Sequence, residues 1–239
     1  MATITIFRRE LGAYLRSPVG WIVAAVTLLL QGVLFQVFAS RNPLAGDMLS
    51  NFFMWSSIVV VIAAVILSIR LISDERQSGA LILLSTSPVR EVEIIVAKFL
   101  AALTFLGLIL LLSLYIPLLI KSEGKITGGQ IAVGYLGLLL LGATSLAIGL
   151  FASSLARQPL IAAVVGAAVA GLLAVFYQFS RMLDAPMKTV FAELDIWWLH
   201  FQGGFMRGVF DLKDVVYYLA MTYFFLLLSV KTMEAKRWQ

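Results

Sequence analysis

The chain has 239 residues, of which 61% are hydrophobic and only 13% are charged, and its mean hydropathy is +0.98. A soluble domain of this length needs more charge to cover its surface, so the composition excludes an ordinary soluble protein and predicts a polytopic membrane protein. The sequence has no cysteine, which excludes disulfides and thiolate chemistry. The net charge of +5 is modest, and its distribution along the chain carries more information than its size.

Residues 3–17 show the periodicity of an amphipathic helix. Such a helix is typical of the membrane interface, where its basic side faces anionic headgroups; a solvated leader is the alternative. A full-length apolar run follows without a small-residue cleavage site, so we expect no cleavable signal peptide. Pro18 is expected to end this helix and open the next one. The apolar face carries Ile4, Phe7, Leu11, Tyr14 and Leu15, and the opposite face Arg9 and Arg16.

Six apolar runs follow, each close to the ~20 residues that a helix needs to cross the hydrocarbon core. No charged residue lies in the central part of any run, which disfavours an ion-coupled carrier. Small residues in the fourth and fifth runs, among them Gly142 and Gly149, predict close helix packing. Pro117 either kinks the third run or lies in its last turn. The predicted spans are residues 19–39, 52–71, 99–120, 130–155, 159–180 and 215–230.

The basic residues are distributed unevenly over this topology. With the N-terminus inside, eleven of the 18 Lys and Arg residues lie on the inner side and seven on the outer side. Four of those seven lie in one long loop, where the positive-inside rule is weak. The acidic residues divide six to seven. We therefore expect both termini to be cytoplasmic.

The densest charge in the first half of the chain lies at residues 73–96, between the second and third spans. A short apolar helix at residues 80–87 follows Gly79 and ends at Pro88. This helix has nothing in its own loop to pack against, so its apolar face needs lipid, the rest of the chain or a partner's groove. A connector on the membrane surface explains the pattern equally well.

Three parts of the sequence resemble the ABC-2 type ABC-transporter permeases, and their gliding-motility-type branch in particular. The opening, residues 7–11 and 17–21, and the end, residues 200–221 and 234–238, are similar to that branch. Between them stands the pattern E-R-x-x-G-x-x-x-x-L-x-x-x-P-V, followed by A-K-F. Here its residues are Glu75, Arg76, Gly79, Leu84, Pro88, Val89, Ala97, Lys98 and Phe99.

This resemblance implies an all-α polytopic permease, similar to type V exporters, as a single domain over residues 1–239. It implies six transmembrane helices, an N-terminal interfacial helix, a cytoplasmic coupling segment at residues 73–96 and re-entrant helices before the last span. It further implies the bacterial inner membrane. The implied docking residues for an ATPase are Asp74, Glu75, Arg76, Gly79, Leu83, Leu84 and Pro88.

The resemblance also implies the partners. An ABC ATPase dimer would dock on the coupling segment, beside a second permease that is either another copy or a related chain with an extracytoplasmic domain. The sequence contains no G-x-x-x-x-G-K-[ST] motif, so ATP and Mg²⁺ are expected on the ATPase. We expect membrane lipids as further partners, no nucleic acid, and neither a cofactor nor a catalytic residue in this chain.

Residues 181–214 are too hydrophobic for a plain extracellular loop. The pair Trp197 and Trp198 is typical of a membrane interface. Glu193, His200 and Arg207 recur every seven residues, with Gly203-Gly204 expected to break a helix between the last two. We predict two short re-entrant helices that form an extracytoplasmic lid or a seat for a partner; a surface connector is the alternative. The single histidine lacks the partners that a zinc site needs.

Two other functions remain open at this point. One is an ion-coupled secondary transporter, which the uncharged spans disfavour. The other is a membrane scaffold for an extracytoplasmic partner, without transport. The sequence does not indicate a substrate.

Overall fold

The computed structural model describes residues 2–40, 44–77 and 90–237. Within these ranges every regular element is a helix, and six helices are long and apolar enough to cross a membrane. The predicted all-α class with six spans is therefore confirmed. The helices are α1 (Ala2–Arg16), α2 (Pro18–Leu34, extended by a π-helical turn at Phe35–Ala39), α3 (Ala45–Gln77), α4 (Glu91–Ser113), α5 (Tyr115–Glu123), α6 (Gly128–Leu155), α7 (Pro159–Ser180), α8 (Met187–Glu193) and α9 (Leu212–Arg237).

The spans are α2, α3, α4 with α5, α6, α7 and α9. Because successive spans alternate in direction, the two ends of the chain lie at the same end of the bundle. We call this end, which carries α1, the N-terminal face. The opposite end of the bundle, which we call the loop face, carries residues 181–211. We call these residues the loop segment.

Local sequence signals explain most helix boundaries. Pro18 opens α2, and the Ser17 hydroxyl accepts a hydrogen bond from the Val19 N–H (3.2 Å), as an N-cap does. The third span is interrupted at Leu114, between α4 and α5. Pro117 has no N–H to donate to the carbonyl of Ser113, four residues earlier, and its ring crowds the preceding turn, so it interrupts the third span.

Helix α6 lies at the centre of the bundle and packs most extensively against α3, which runs in the same direction. Glycines bring the two helices together. A Cβ atom at Gly134 would overlap the ring of Phe53, and one at Gly149 would overlap the Ser68 hydroxyl. Gly142 is similarly close to α3 and α4. The close packing predicted from the small residues of this helix is therefore present.

The outer spans differ from this core. Most residues of α2, α7 and α9 are exposed or half-buried on the described chain, whereas most of α6 is buried. In a bilayer these apolar surfaces face hydrocarbon or another subunit, because no polar solvent is present there.

Candidate functional site

At the N-terminal face, α1 is held by an ion pair with α4. Lys98 is only 1% exposed, and its Nζ lies 3.1 Å from Oε1 of Glu10, which also contacts Arg9 at 2.7 Å. Burial alone would raise the pKa of Glu10. The positive charges of Lys98 and Arg9 outweigh burial, so this pKa lies below its ordinary value. The ion pair fixes α1 across the first turns of α4.

Tyr14 adds two further contacts between α1 and the bundle. Its hydroxyl donates to the Leu67 carbonyl of α3 (2.8 Å), and its ring stacks on Phe105 of α4 at 5.2 Å between centroids. Among the residues predicted for the interfacial helix, Leu11 packs on the core and Phe7 is half-buried. The remaining four are exposed: Ile4, Arg9, Leu15 and Arg16.

The last turns of α3 are held by a serine of α6. The Ser153 hydroxyl donates to the Ile69 carbonyl (2.6 Å) and accepts from the backbone N–H groups of Ile72 (3.1 Å) and Ser73 (3.0 Å). A hydroxyl can donate one hydrogen bond and accept two, and here all three are made with the backbone of α3. Ser153 therefore fastens α6 to α3 just before residues 78–89.

The structure describes only part of the predicted docking surface. Asp74 lies in the last turns of α3, where its carboxylate accepts from Arg70 Nε at 2.7 Å. Glu75 and Arg76 belong to the same helix end. The other predicted docking residues, Gly79, Leu83, Leu84 and Pro88, lie outside the described residues. What the structure provides is the arrangement of the two helices that flank them.

At the loop face, Asp195 is fully buried and its carboxylate accepts four backbone hydrogen bonds. Oδ1 accepts from the N–H groups of Trp197 (2.8 Å), Trp198 and Leu199 (3.2 Å), and Oδ2 from that of Tyr177 in α7 (3.2 Å). Burial raises the pKa of Asp195, and the four N–H groups, which favour the ionised form, offset this only in part. Asp195 thus fixes the loop segment to α7.

The loop segment makes a second backbone contact with α7 at the same position. The Ile196 N–H donates to the Leu173 carbonyl (3.3 Å). In a regular helix this carbonyl pairs with the Tyr177 N–H, which here contacts Asp195. The loop segment therefore contacts both the N–H and the carbonyl that would form one hydrogen bond within α7.

His200 joins the loop segment to the start of α9. Its Nδ1 lies 2.7 Å from Oδ1 of Asp214, its Nε2 lies 3.3 Å from the Glu193 carbonyl, and its buried ring stacks on Tyr217 at 3.7 Å. The Glu193 carboxylate instead pairs with Lys213 at 2.9 Å. Two of the predicted lid residues, Glu193 and His200, are thus brought together.

Other parts of the loop segment pack against the central helices. The Trp197 indole N–H donates to the Ser57 hydroxyl of α3 (2.7 Å). Phe205 lies against Gly137 of α6, where a Cβ atom would overlap the ring. Gly208 has a φ of +74°, a left-handed conformation that favours glycine. The loop segment therefore rests on α3, α6, α7 and α9 together.

The predicted geometry of the lid residues is only partly observed. Three short helical pieces are present instead of two: α8, a π-helical turn at Trp198–Gln202 and a 3₁₀ turn at Phe205–Arg207. The expected break at Gly203-Gly204 is present. Arg207 is exposed whereas His200 is buried, and this break lies between the two turns that carry them. The seven-residue recurrence therefore did not place three side chains on one face.

Beneath Trp197 and Trp198, a cavity of about 350 Å³ opens between α3, α7 and the loop segment. Its lining is almost wholly apolar and includes Ile62, Gly171 and Val175. Such a lining suits a hydrocarbon group and offers no catalytic group. Across residues 2–40, 44–77 and 90–237, no group of three or more His, Asp or Glu side chains is arranged to hold a metal ion.

Several residues of these contacts were not singled out from the sequence: Glu10, Ser57, Ser153, Asp195, Asp214, Tyr217 and Tyr218. Asp195 had a local signal, since an aspartate just before a helical turn is a common N-cap. Ser153 and Glu10 had none, because their partners lie about 80 residues or more away. Tyr218 is fully buried and donates to the Ile196 carbonyl (2.6 Å).

The fold and these contacts define a multi-pass membrane protein whose spans are braced by short segments at both faces. The sequence model of the ABC-2 family transporter proteins matches residues 14–181, well over half of the chain, so the chain belongs to the ABC-2 family of transporter permeases. The match ends where the loop segment begins, so the Asp195 and His200 contacts lie outside it. No curated protein matches the chain closely enough to serve as a relative.

Membership of this family makes the chain a membrane transport component rather than a catalytic one. Permeases of the family generally work with an ABC ATPase.

Proposed function

We propose that this chain is the membrane-spanning subunit of an ABC exporter and that a separate ATPase dimer docks on residues 73–96. Family membership supports the transporter role. The observation that carries the docking proposal is the bracing of both flanking helices: Ser153 holds the end of α3, and Glu10 holds the start of α4 through Lys98. A force applied between these helix ends would therefore reach the whole bundle.

Docking is tested by substitution within the segment. Leu83→Glu places a charge on the short apolar helix expected to enter a groove of the ATPase, so we expect at least a tenfold loss of ATPase on purification of the permease. Leu44→Glu, at an exposed leucine before α3, serves as the matched control and should retain the ATPase. Deletion of residues 81–87 should reproduce the loss. Full retention of the ATPase by Leu83→Glu and by the deletion would overturn the docking proposal.

The orientation proposal places both termini in the cytoplasm of a bacterial cell and the loop face outside the inner membrane. The excess of basic residues on the N-terminal face supports it. The chain has no cysteine, so single cysteines report accessibility directly. Met182→Cys, at a residue 84% exposed in the loop segment, should react with an impermeant maleimide in intact cells, and Gln239→Cys should not. The reverse pattern would invert the topology.

The proposed assembly contains a second permease, which is either another copy or a related chain with an extracytoplasmic domain. The exposed apolar surfaces of α2, α7 and α9 provide room for such a partner beside lipid. Assignment to the gliding-motility-type branch rests on the resemblance at both ends of the sequence, parts of which lie outside residues 14–181. Purification with two different tags distinguishes the assemblies: recovery of both tags on one complex supports two copies, and recovery of a second polypeptide supports the related chain.

A further inference from the structure

The junction between Ser153 and α3 lies at two backbone groups of α3 that a regular helix pairs with each other. In an α-helix the Ser73 N–H pairs with the Ile69 carbonyl. Here this carbonyl accepts from two hydroxyls, Ser153 Oγ (2.6 Å) and Ser73 Oγ (2.6 Å). The Ser73 N–H in turn donates to Ser153 Oγ (3.0 Å), so Ser153 contacts both groups.

Ser153 contacts α3 close to the end of that helix. In α3 this point lies one turn before the helix ends at Gln77, next to the proposed docking segment. Gly149, one turn earlier in α6, is in close contact with Ser68 and keeps the two backbones together. The end of α3 is therefore held by α6 as well as by its own helix.

The other end of α6 supports the loop segment. Gly137 contacts Phe205, and Gln130 lies against Gly208. The distance from Ser153 to Gly137 is sixteen residues, or roughly 24 Å along the helix axis. Between them the Thr144 hydroxyl contacts that of Thr222 in α9 (3.0 Å). Helix α6 thus connects the end of α3 to the loop face through buried contacts.

We propose that α3 and α6 move as one body during transport and that Ser153 is the positioning residue that fastens them. Movement of the docking segment then reaches the loop face through α6. This inference rests on the proposed function, because it takes the docking segment as the part that the ATPase moves. In Ser153→Ala the Ser73 N–H and the Ile69 carbonyl can pair within α3, so the substitution removes the hydrogen bonds from Ser153 to α3 without leaving a polar group unpaired. We therefore expect a loss of transmission with little loss of folded protein.

The test uses the complete complex of permease and co-purified ATPase in lipid nanodiscs. An environment-sensitive fluorophore on Phe210→Cys, at an exposed residue of the loop segment, reports the loop face with and without ATP. We expect an ATP-dependent signal in this parent and an at least threefold smaller one after Ser153→Ala. Ser145→Ala is the matched control, since Ser145 is also buried in α6 but donates to its own helix at Leu141. It should retain the signal.

The amount of bound ATPase separates this inference from the proposed function. If all three variants bind the same amount of ATPase and Ser153→Ala keeps the full fluorescence signal, the role of Ser153 is overturned and the proposed function is not. A parent that binds the ATPase but gives no ATP-dependent signal would also overturn the role of Ser153. Absence of ATPase from the parent would overturn the proposed function. If Ser153→Ala is not recovered folded, Ser153→Cys keeps the volume with a weak hydrogen-bonding group. It should lose the signal as well, and retention would overturn the inference.

Discussion

Glu10→Gln tests whether the buried ion pair holds α1 on the bundle. The substitution keeps the size of the side chain and removes its charge. Lys98 is 1% exposed and Glu10 is 14% exposed, with 3.1 Å between the charged atoms. An ammonium at this depth is then left without the carboxylate of Glu10, and removal of one partner from a buried pair is far more costly than from an exposed pair.

The magnitude follows from this burial. Loss of one partner from a fully buried pair costs about 3–5 kcal/mol, and exposed pairs contribute about 0–1 kcal/mol. Because Glu10 is partly exposed and Arg9 lies beside it, we expect about 2 kcal/mol for Glu10→Gln. The double variant Glu10→Gln/Lys98→Met should recover most of this loss, because the buried ammonium that Glu10 neutralises is then removed as well.

The assay is hydrogen exchange of the backbone amides of α1 in detergent or nanodiscs. A change of 2 kcal/mol corresponds to roughly thirtyfold faster exchange when opening is at equilibrium, since about 1.4 kcal/mol is a factor of ten. Glu234→Gln is the matched control, because Glu234 pairs with Lys231 at 2.7 Å on an exposed surface. It should leave exchange almost unchanged.

The pH dependence provides an independent check with a definite sign. The pKa of Glu10 is lowered from its ordinary 4.5, so its stabilising contribution is complete above pH 4.5. The contribution is lost as the pH falls below 4.5 through the lower pKa of the folded protein. Glu10→Gln should remove this dependence. The reasoning is refuted if Glu10→Gln exchanges as slowly as Glu234→Gln, or if Lys98→Met costs the same with and without Glu10.

Three further substitutions test the packing and the loop segment, each followed by thermal unfolding in detergent. Asp195→Ala leaves four buried N–H groups without their acceptor and should cost about 3 kcal/mol, whereas Asp184→Ala, at an exposed residue of the same segment, should cost almost nothing. Gly149→Leu should separate α3 from α6 and cost at least about 2 kcal/mol; Gly171→Leu, where a Cβ atom would meet nothing within 4 Å, should not. Gly208→Ala should cost about 1–2 kcal/mol because its φ is +74°. The proposed contact would be contradicted if Asp195→Ala and Asp184→Ala, or Gly149→Leu and Gly171→Leu, lost the same stability. An unchanged stability of Gly208→Ala would contradict the conformational requirement at that residue.

The six spans were predictable because hydropathy over ~20 residues is a local property of the sequence. Their ends were less so. Residues 52–71 were predicted for the second span, and the helix runs from Ala45 to Gln77. Hydropathy detects only the part of a helix that lipid would surround, whereas backbone hydrogen bonds continue the helix through charged residues such as Asp47 and Asp74. The same holds for α9, which extends past its predicted end to Arg237.

The loop segment shows a different limit. Its apolar character, its paired tryptophans and the break at Gly203-Gly204 were visible in the sequence. The recurrence of Glu193, His200 and Arg207 suggested a shared face, but His200 pairs with Asp214 instead. This partner belongs to α9 and lies beyond the region in which a helical period carries information. The contact depends on how the chain folds back, which local patterns do not determine.

The contacts at the two faces also differ in how easily they can be broken and replaced by hydrogen bonds within the helix. Where the loop segment binds α7, it contacts the Tyr177 N–H and the Leu173 carbonyl, which would pair with each other in a regular helix. Their release therefore leaves no unsatisfied backbone group in α7. Where Ser153 binds α3 the same exchange is possible, but the glycine contacts beside it hold the helices together. Because close glycine contacts reinforce the junction between α3 and α6, we expect the junction between the loop segment and α7 to open first during transport.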